Sequence, residues 1–446
     1  MGVKVSIVIP SLNVREYIKE CMDSVTGQSL REIEIICVDA GSNDGTREIL
    51  QSYANRDSRV HILDSAVRSY GYQMNIGIEK STGEYVGIVE SDDYVDKEMF
   101  QYLYQQAKKY DVDVAKVDSF SVSNDVNGKM LYEEQHLLLP KDRMEYYKKI
   151  QSNEMLCLHL YDSNLWNGIY RRSFFKKQNI RFNESKGAAF QDFGFQQQVH
   201  MLADSFVYSD KTLYYYRADR EGSSTNQAGW LRFIHQEVQF LEELRMADTP
   251  QWRTHREYVI GRVALAFLVE LERSIIKEDF MILGVEWLEH YRWLRDRVRK
   301  WFKDGDLQGR FFAEDIWMQI RLALYSLESF RDYVYIRERV KKETYDSFIK
   351  GFNKNSCVIF GCGIRGKRLS LFLRKKGNVV LGFADNQHDL WGSTYSDIPI
   401  YSPQEAVQKF ETETFVVANQ KNVEDIRKQL LDMGVPERQI MTYEPW

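Results

Sequence analysis

The sequence predicts an α/β protein of more than one domain, with a helical region between two α/β parts. Strand-like and helix-like segments alternate through the first half, which is typical of a mostly parallel sheet covered by helices. Long helical patterns poor in Gly and Pro follow, and a second strand–turn–helix pattern begins at residue 356. Because 446 residues exceed one ordinary core, we predict domains at 1–228, 229–350 and 351–446.

Composition and charge narrow the class of protein. The hydrophobic share of 43% and the charged share of 28% are those of a folded soluble protein. The formal net charge of −5 gives no reason to expect a nucleic-acid partner. The N-terminus passes directly into a strand pattern and no apolar stretch is long enough to span a bilayer, so we expect a cytoplasmic protein.

Four strand patterns organise the first half, and helical patterns or polar turns separate them. The strands are predicted at Val5–Ile9, Glu34–Val38, Val60–Leu63 and Tyr85–Val89. The helices are predicted at Tyr17–Val25, Arg47–Ala54 and Asn75–Lys80. Asp44-Gly45 predicts a turn, with Asp44 as a turn and helix-capping residue.

The most informative segment is an acidic run, Glu90-Ser91-Asp92-Asp93, directly after the fourth strand. Ligands of α/β sheets bind outside the carboxyl ends of the strands. Clustered carboxylates repel one another, so a cation should share the site, and Mg²⁺ or Mn²⁺ carrying a diphosphate suits oxygen ligands. The alternative is a solvated acidic turn that caps the helix starting near Asp96.

Several further motifs accompany this run in a fixed order. They are Val5 to Asn13, Val38 to Thr46, Trp166 to Arg172 followed by Phe190-Gln191-Asp192, Tyr214 to Arg217, and Gly222 to Thr225. Together they resemble glycosyltransferase family 2, which has the GT-A fold, over about Val3 to Thr225. The resemblance implies a mixed GT-A sheet that binds a nucleotide-sugar.

The resemblance also implies a role for each matching residue. Asp192 would be the catalytic base, Asp92 and Asp93 the ligands of Mn²⁺ or Mg²⁺, and Trp166 and Asn167 the acceptor side. Nucleotide-sugar contacts would come from Pro10, Ser11, Asn13, Asp39, Ser42, Asn75, Glu90, Ser91, Asp92 and Arg217.

The residue types suit glycosyl transfer on chemical grounds. A metal held by Asp92 can neutralise the leaving diphosphate, and a carboxylate must accept the proton of the attacking hydroxyl. Asp39 can accept a hydrogen bond from the imide N–H of uracil. Phe190 and Phe193 flank Asp192 and would raise its pKa by partial desolvation.

Structural roles stand beside these chemical ones. Asp39 could only close the turn at Gly41, and Asp192 could cap the helix Phe193 to Leu202. Arg217 could be an ion-pair partner at the edge of the core. Trp166 and Asn167 could shape the pocket wall rather than touch substrate.

Four positions depart from the family pattern. Ala40 replaces a second aspartate, Glu90 replaces the usual first aspartate, and Gln191 stands where Glu often precedes the base. The segment Gly71 to Asn75 lacks an arginine often found there. These departures leave open which nucleotide and which sugar are used.

The helical region contains one basic amphipathic segment. Its apolar stripe and its basic residues could rest on an anionic membrane, where a lipid-linked acceptor would lie. The alternative is a surface helix whose stripe packs on its own domain. The stripe comprises Trp287, Tyr291, Leu294, Val298 and Trp301.

The C-terminal part carries a GxGxxG motif at Gly361, Gly363 and Gly366, between a strand and the predicted helix Lys367 to Lys376. Asp385 follows at about the spacing of a ribose-binding acid. This part resembles the small Rossmann-like modules of bacterial polysaccharide-assembly proteins. The glycines could hold a dinucleotide, or serve only the tight turn and helix–strand packing.

The sequence thus predicts a metal-dependent, inverting glycosyltransferase. The donor would be a UDP-sugar and the acceptor a hydroxyl of a cell-surface glycan, such as a capsule or cell-wall polymer, or of a lipid-linked glycan. The enzyme would work in the cytoplasm, with a peripheral position at the inner face of the plasma membrane left open. The rival hypotheses are a nucleotidyl or phosphate-group transferase and a non-catalytic scaffold that binds a nucleotide-sugar or a dinucleotide.

Overall fold

The computed structural model describes residues 2–136, 146–220, 230–277, 284–352, 355–419 and 422–443. The chain divides into two compact units. The first unit comprises Met1–Phe120 and Glu134–Val334, and the second comprises Ser121–Glu133 and Tyr335–Trp446. No helix among the described residues is both long enough and apolar enough to cross a bilayer.

Four parallel strands at the start of the chain form one half of the large sheet, in the order β3-β2-β1-β4. They are β1 (Val5–Ser11), β2 (Ile33–Asp39), β3 (Val60–Asp64) and β4 (Tyr85–Ile88). The helices α1 (Arg15–Thr26), α2 (Thr46–Ala54) and α3 (Tyr70–Lys80) connect them. Every residue of β1 and β2 is buried, which explains their nearly continuous apolar pattern.

Helix α3 begins five residues earlier than the predicted start at Asn75. The side chain of Ser69 accepts a hydrogen bond from the backbone N–H of Tyr72 and so caps the helix. The small residues in its first two turns allow close packing, since a Cβ on Gly77 would lie 2.5 Å from Val8. The sequence pattern does not predict the first turns of α3 because glycines and polar residues there interrupt the helical spacing of apolar residues.

The other half of the sheet is mixed and includes antiparallel pairs, with the order continuing β4-β9-β6-β10-β5. Its strands are β5 (Tyr94–Val95), β6 (Val114–Asn124), β7 (Met130–Gln135), β8 (Ile150–Gln151), β9 (Gly168–Arg171) and β10 (Ser205–Arg217). Its helices are α4 (Met99–Tyr110), α5 (Leu158–Tyr161), α6 (Arg172–Gln178) and α7 (Gln191–Leu202). The predicted mixed sheet is confirmed.

In the described part of the region that follows, the α-helices are α8 (Trp230–Glu243), α9 (Trp252–Lys277), α10 (Val285–Lys303), α11 (Glu314–Tyr325) and α12 (Leu327–Ile349). Up to Val334 they belong to the first unit. Buried side chains of the sheet and of these helices form one hydrophobic cluster, with Phe206, Ile234 and Phe267 among its members. The helical region therefore shares its core with the sheet.

The apolar stripe of the basic segment lies in this shared core. On α10, Trp287, Tyr291, Leu294 and Val298 are each at most 7% exposed. The stripe therefore packs on its own domain, which is the second of the two sequence interpretations. The buried side chains of the stripe are not available to a membrane, and a contact of the basic residues of α10 with a membrane surface stays a prediction.

The second unit contains a six-stranded sheet in the order β13-β14-β12-β11-β15-β16, with helices between its strands. The strands are β11 (Ser356–Phe360), β12 (Val379–Ala384), β13 (Thr394–Tyr395), β14 (Ile398–Tyr401), β15 (Thr414–Val417) and β16 (Ile440–Thr442). The helices are α13 (Ile364–Lys375), α14 (Pro403–Lys409) and α15 (Val423–Asp432). Apart from the antiparallel β13, the strands run parallel, as the Rossmann-like pattern predicts.

The hairpin between β6 and β7 also belongs to the second unit. The hydroxyls of Tyr395 and Ser396 donate to the backbone carbonyl of Tyr132, at 3.5 and 3.2 Å. Lys129 forms an ion pair with Asp397 at 3.0 Å. A segment from the first half of the chain thus completes the C-terminal unit.

Candidate active site

The acidic turn begins where β4 ends, at the carboxyl edge of the parallel strands. Glu90 accepts a hydrogen bond of 2.6 Å from the hydroxyl of Tyr70, at the start of α3. The helix that follows the turn begins only at Met99, after the short strand β5. The alternative of a helix cap is therefore wrong, since Asp96 and not the acidic run supports the turn before α4, by accepting from the Glu98 N–H.

Asp93 is held inside the protein by β10. Its carboxylate accepts hydrogen bonds of 2.8 Å from the hydroxyl of Tyr214 and of 2.8 Å from the backbone N–H of Arg217. The same hydroxyl of Tyr214 accepts a bond of 3.1 Å from the Glu90 N–H. Burial raises the pKa of Asp93 well above its ordinary value, the charge of Asp92 adds to this, and the two donors oppose it.

Asp92 points away from this anchor. Its side chain is 20% exposed and forms an ion pair of 2.7 Å with Arg220. The Nε of Arg217 donates to the backbone carbonyl of Asp92 at 2.7 Å, and a second guanidinium nitrogen pairs with Glu20. Tyr17 lies under both guanidinium groups, with its ring centroid 5.4 Å from each.

The surroundings of the two aspartates decide which of them suits a divalent cation. Both oxygens of Asp93 accept hydrogen bonds from protein donors, so Asp93 fixes the position of the turn, and its role as a second metal ligand stays a prediction. In the described part of the chain, no group of three or more His, Cys, Asp or Glu side chains is arranged to hold a metal. Mg²⁺ needs only one or two protein carboxylates when a diphosphate supplies the other oxygens. The arrangement suits a cation that binds together with a donor diphosphate.

A polar network joins the ends of β1 and β2. Asp39 accepts hydrogen bonds from the hydroxyl of Ser42 at 2.5 Å and from its N–H at 3.3 Å. Ser42 accepts from the N–H of Asn13 at 3.0 Å, and the Asn13 side chain accepts from the N–H of Asn43 at 2.9 Å. Asn13 has a φ of 52°, in the left-handed region. Asp39 therefore does close the turn, as one interpretation expects, and the same network shapes a polar recess.

The neighbouring residues Pro10 and Ser11 end strand β1. The Ser11 side chain is 1% exposed, and its hydroxyl has no hydrogen-bond partner among the described residues. Buried hydroxyls are normally paired, so the unpaired hydroxyl of Ser11 at this strand end is an exception. Ser91, in the acidic turn, is 6% exposed.

Asp44 lies on the same side but serves the backbone. Its carboxylate accepts from the N–H and the hydroxyl of Thr46, at 2.9 and 2.7 Å, and from the N–H of Arg15 at 3.0 Å. These contacts fix the start of α2 against α1. The predicted turn role of Asp44 is confirmed, but the N-cap position of α2 is occupied by Gly45 and not by Asp44.

Asp192 lies in the first turn of α7, one residue after the helix begins. The N-cap position is held by Phe190 in a left-handed conformation, with φ of 64°, and not by Asp192. The carboxylate of Asp192 accepts from the N–H of Phe193 at 3.0 Å. Burial raises the pKa of Asp192, and the positive charge of Arg262 on α9 opposes the increase.

A second carboxylate supports this turn of α7. Glu237 on α8 is 1% exposed and accepts from the N–H of Gly194 at 3.1 Å and from the Asn183 side chain at 2.8 Å. Burial raises its pKa well above the ordinary value, and the charge of Asp192 adds to that effect. The helical region therefore fixes the position of Asp192.

Asn75 braces the loop before α7 instead of pointing into the recess. Its amide donates to the Phe182 carbonyl at 3.0 Å and to Glu184 at 2.9 Å, and its oxygen accepts from the Phe182 N–H at 2.8 Å. All these partners belong to the protein. A direct contact of Asn75 with a nucleotide-sugar would require these bonds to break, so we assign it a positioning role.

Trp166 and Asn167 lie at the start of β9. The indole of Trp166 stacks on Tyr214 and Tyr216, with centroid distances of 4.2 and 5.4 Å. Asn167 is 3% exposed and donates to the Val117 carbonyl at 2.7 Å. Trp166 therefore packs on the tyrosine that holds the acidic turn, whereas Asn167 is bonded to β6. The predicted closing segment Gly222 to Thr225 lies outside the described residues.

The start of α3 links the acidic turn to the loop before α7, because Tyr70 donates its hydroxyl to Glu90 and its backbone N–H to the Gly187 carbonyl at 2.9 Å. Burial raises the pKa of Glu90 to about 8, and the charges of Asp92 and Asp192 add to this. The hydrogen bond from Tyr70 and the charge of Arg220 oppose the increase. Three carboxylates that are up to 102 residues apart in sequence therefore act on one another at the edge of the sheet.

Comparison with known proteins agrees with this geometry. Residues 6–179 match the family model described as glycosyl transferase family 2. The chain is 30% identical over 314 residues to the uncharacterized glycosyltransferase YibD of Escherichia coli (strain K12), an alignment that covers 66% of this chain and 88% of YibD. The chain belongs to glycosyltransferase family 2. The resemblance inferred from the motifs is confirmed.

Two further similarities describe the extent of the match. The uncharacterized glycosyltransferase EpsJ of Bacillus subtilis (strain 168) is 32% identical over 215 residues, which is 48% of this chain and 60% of EpsJ. The alignment thus spans less than two thirds of EpsJ. A crystal structure of residues 1–349 of S. aureus TarS with UDP-GlcNAc has a TM-score of 0.55 at 18% identity, covering 76% of this chain and 92% of that one. This similarity concerns the fold, and it confirms the predicted GT-A class.

The C-terminal unit has its own match, since residues 353–441 fit the family model described as C2185-like, N-terminal. In its GxGxxG motif Gly361 has a φ of 107°, and a Cβ on Gly366 would lie 1.8 Å from the Gly361 carbonyl oxygen. These two glycines are therefore required by the turn and by helix packing. Asp385 accepts from the N–H of Cys362 at 2.6 Å and so braces the same loop. Dinucleotide binding at Gly361, Gly363 and Gly366 stays a prediction.

Three residues of the site were missed from the sequence. Arg220 pairs with Asp92, Tyr70 binds Glu90, and Arg262 acts on Asp192. A local signal existed for Arg220, since it follows Arg217 by three residues at the end of a strand. No local signal marks Tyr70 or Arg262, because each reaches the site from another helix.

Proposed function

We propose that the protein transfers a sugar from a UDP-sugar to a hydroxyl group, with inversion at the sugar carbon. The observation that carries the proposal is the meeting of the acidic turn with Asp192 at the carboxyl edge of the sheet. Glu90 feels the charges of both Asp92 and Asp192. In this proposal, Asp92 would bind the metal and diphosphate, and Asp192 would accept the proton in the same site.

The nucleotide would bind in the recess between β1 and β2. Asp39 is held by Ser42 and offers a carboxylate, which suits the imide N–H of uracil. The buried Ser11 hydroxyl, which has no partner among the described residues, and the Asn13 side chain line the same strand ends. The UDP-GlcNAc complex of the TarS fragment, which shares the fold, supports a uridine nucleotide.

The diphosphate would lie over the acidic turn, next to Asp92. A divalent cation, Mn²⁺ or Mg²⁺, supplies Lewis-acid stabilisation of the leaving diphosphate when bound. Asp92 would hold it, and Asp93 would fix the turn from below through Tyr214. The cations Arg217 and Arg220 lie close enough to Asp92 to contact the same diphosphate.

Asp192 would act as the general base. As the acceptor hydroxyl attacks the sugar carbon from the face opposite the leaving group, its proton passes to the carboxylate of Asp192. Burial raises the pKa of Asp192, which makes the carboxylate a better proton acceptor, and the positive charge of Arg262 opposes the increase. A single displacement of this kind inverts the configuration.

The rival hypothesis, a non-catalytic scaffold that binds a nucleotide, depends on the second unit. There a cavity of about 340 Å³ lies at the carboxyl ends of β11 and β15, next to the GxGxxG loop. Under that hypothesis a dinucleotide would stabilise the protein and nucleotide-sugars would not.

A donor screen separates these hypotheses. Thermal stability is measured with UDP-, GDP-, CDP- and dTDP-sugars in the presence of Mn²⁺, and with NAD and NADP. We expect stabilisation by a UDP-sugar that is lost in EDTA, followed by release of UDP in a turnover assay. Stabilisation by NAD or NADP alone would reject the transferase and favour the scaffold. Release of a nucleoside monophosphate with pyrophosphate would favour a nucleotidyl transferase.

A further inference from the structure

A second cavity lies within the first unit, among the helices α7, α8, α9 and α10. Its volume is about 460 Å³, within the range of small-molecule sites in proteins. Its floor is aliphatic, with Met201, Val238, Ile260 and Val263 each at most 3% exposed. It is lined by none of the residues of the acidic turn, so it is separate from the proposed donor site.

Among the described lining residues, the floor is poor in hydrogen-bonding groups. The one polar side chain buried there is Gln197, at 2% exposed. Its amide oxygen is bonded to His159 Nδ1 at 2.8 Å, and its amide nitrogen donates to the His159 carbonyl at 3.4 Å. A sugar ring would leave its hydroxyls without partners on this floor, whereas a hydrocarbon needs none.

The mouth of the cavity has the opposite character. The indoles of Trp252 and Trp301 line it and are partly exposed. Beside them lie three ion pairs, which join Arg297 to Glu242 at 2.8 Å, Arg256 to Asp306 at 2.8 Å, and Arg245 to Asp248 at 3.6 Å. Tryptophan at the boundary of an apolar interior and a charged rim is typical of sites for amphiphiles.

We propose that this cavity binds an aliphatic chain, with the polar end of the same molecule at the ion-pair rim. This inference rests on the proposed function: the molecule bound in the cavity would be the acceptor, which would then belong to the class of lipid-linked molecules. Helix α10 supplies Arg297 and Trp301 to the cavity, and it also carries the exposed side chains of Arg292, Lys300 and Lys303. These cations suit the anionic head group of a lipid or the surface of an anionic membrane.

Alkanols test the cavity without knowledge of the natural acceptor. Isothermal titration calorimetry of the full chain would use 1-hexanol, 1-octanol and 1-decanol, with maltotriose as the sugar comparison. Burial of one methylene corresponds to about a fourfold gain in affinity. We expect one site, and a Kd that falls about fourfold for each added methylene until the cavity is full.

Substitutions test whether the alkanol binds inside the cavity. Val263→Phe fills the floor and should weaken decanol binding at least tenfold. Val269→Phe, on the same helix α9 at a position 47% exposed, is the matched control and should leave the Kd unchanged. Circular dichroism and thermal melting check that each variant folds. Should Val263→Phe fail to fold, Trp301→Ala, which removes a wall at the mouth, replaces it with the same expected loss.

The outcomes are distinct. No alkanol binding, a Kd independent of chain length, equal loss in Val263→Phe and Val269→Phe, or binding of maltotriose alone would each overturn the cavity proposal. Binding of UDP-sugar is measured in a separate titration without alkanol. Decanol binding without any UDP-sugar binding would reject the proposed function and, with it, the assignment of the chain to an acceptor. UDP-sugar binding without decanol binding would reject only the cavity proposal.

Discussion

Replacing Tyr214 by Phe tests whether the acidic turn depends on β10 for its position. The Tyr214 hydroxyl donates to the buried Asp93 carboxylate and accepts from the Glu90 N–H, at 2.8 and 3.1 Å. Tyr214 is fully buried and Asp93 is 1% exposed, so water cannot readily replace the hydroxyl. The substitution keeps the ring and its stacking on Trp166, and removes only these two hydrogen bonds.

The expected cost follows from the two bonds. A hydrogen bond to a charged group contributes about 1.5–3 kcal/mol, and a buried N–H left without a partner costs about 1–3 kcal/mol. We therefore expect a loss of roughly 2.5–6 kcal/mol in the unfolding free energy of the first unit. Urea unfolding followed by tryptophan fluorescence measures it, because seven of the nine tryptophans lie in the residue ranges of that unit.

Tyr216→Phe is the matched control. Tyr216 stacks on the same indole, but its hydroxyl makes no hydrogen bond to another described residue. We expect it to change the unfolding free energy by less than about 1 kcal/mol, as surface and half-buried changes usually do. Equal effects of the two substitutions would refute the anchoring of the turn by Tyr214.

Three further substitutions test separate parts of the site. Asp92→Asn should abolish the Mn²⁺ dependence of UDP-sugar binding, which titration with and without EDTA measures. A UDP-sugar affinity that still rises with Mn²⁺ in this variant would exclude Asp92 as the protein ligand of the metal. Arg262→Gln removes a charge that lowers the pKa of Asp192. That pKa should therefore rise, and the acid limb of the kcat/KM profile, where protonation removes the base, should move to higher pH; an unchanged or lower position would contradict the coupling. Gly366→Ala places a Cβ 1.8 Å from the Gly361 carbonyl and should destabilise the second unit by at least about 2 kcal/mol in chemical unfolding. Gly363→Ala, in the same motif, has a φ of −76° and no atom within 4 Å of its Cβ, and should cost less.

The sequence carries enough information for the elements that local patterns govern. The β1 and β2 strands are buried on both faces, so their apolar runs are nearly continuous and easy to recognise in the sequence. The acidic run could be placed at a strand end for the same reason. The role of Asp44 followed from turn chemistry alone, because its partners Thr46 and Arg15 are backbone groups and a neighbouring hydroxyl.

Contacts between distant segments could not be predicted in this way. Arg262 reaches Asp192 from a helix 70 residues further along the chain, and Glu237 reaches the same turn from α8. The different roles of Asp92 and Asp93 depend on which one faces Tyr214, which the order of residues does not reveal. The assignment of residues 121–133 to the second unit is a further case, because the sequence of a hairpin does not reveal which part of the protein it packs against.

The most direct test of the central claim is the Asp192→Asn variant, measured with the UDP-sugar that the donor screen identifies. We predict that its Kd for that donor stays within about threefold of the wild type, while turnover falls about 10²- to 10⁴-fold, the usual contribution of a general base. Asp204→Asn, at an exposed position just after the same helix, is the control and should turn over normally. Normal turnover by Asp192→Asn would remove Asp192 from the mechanism and contradict the proposed function of this site.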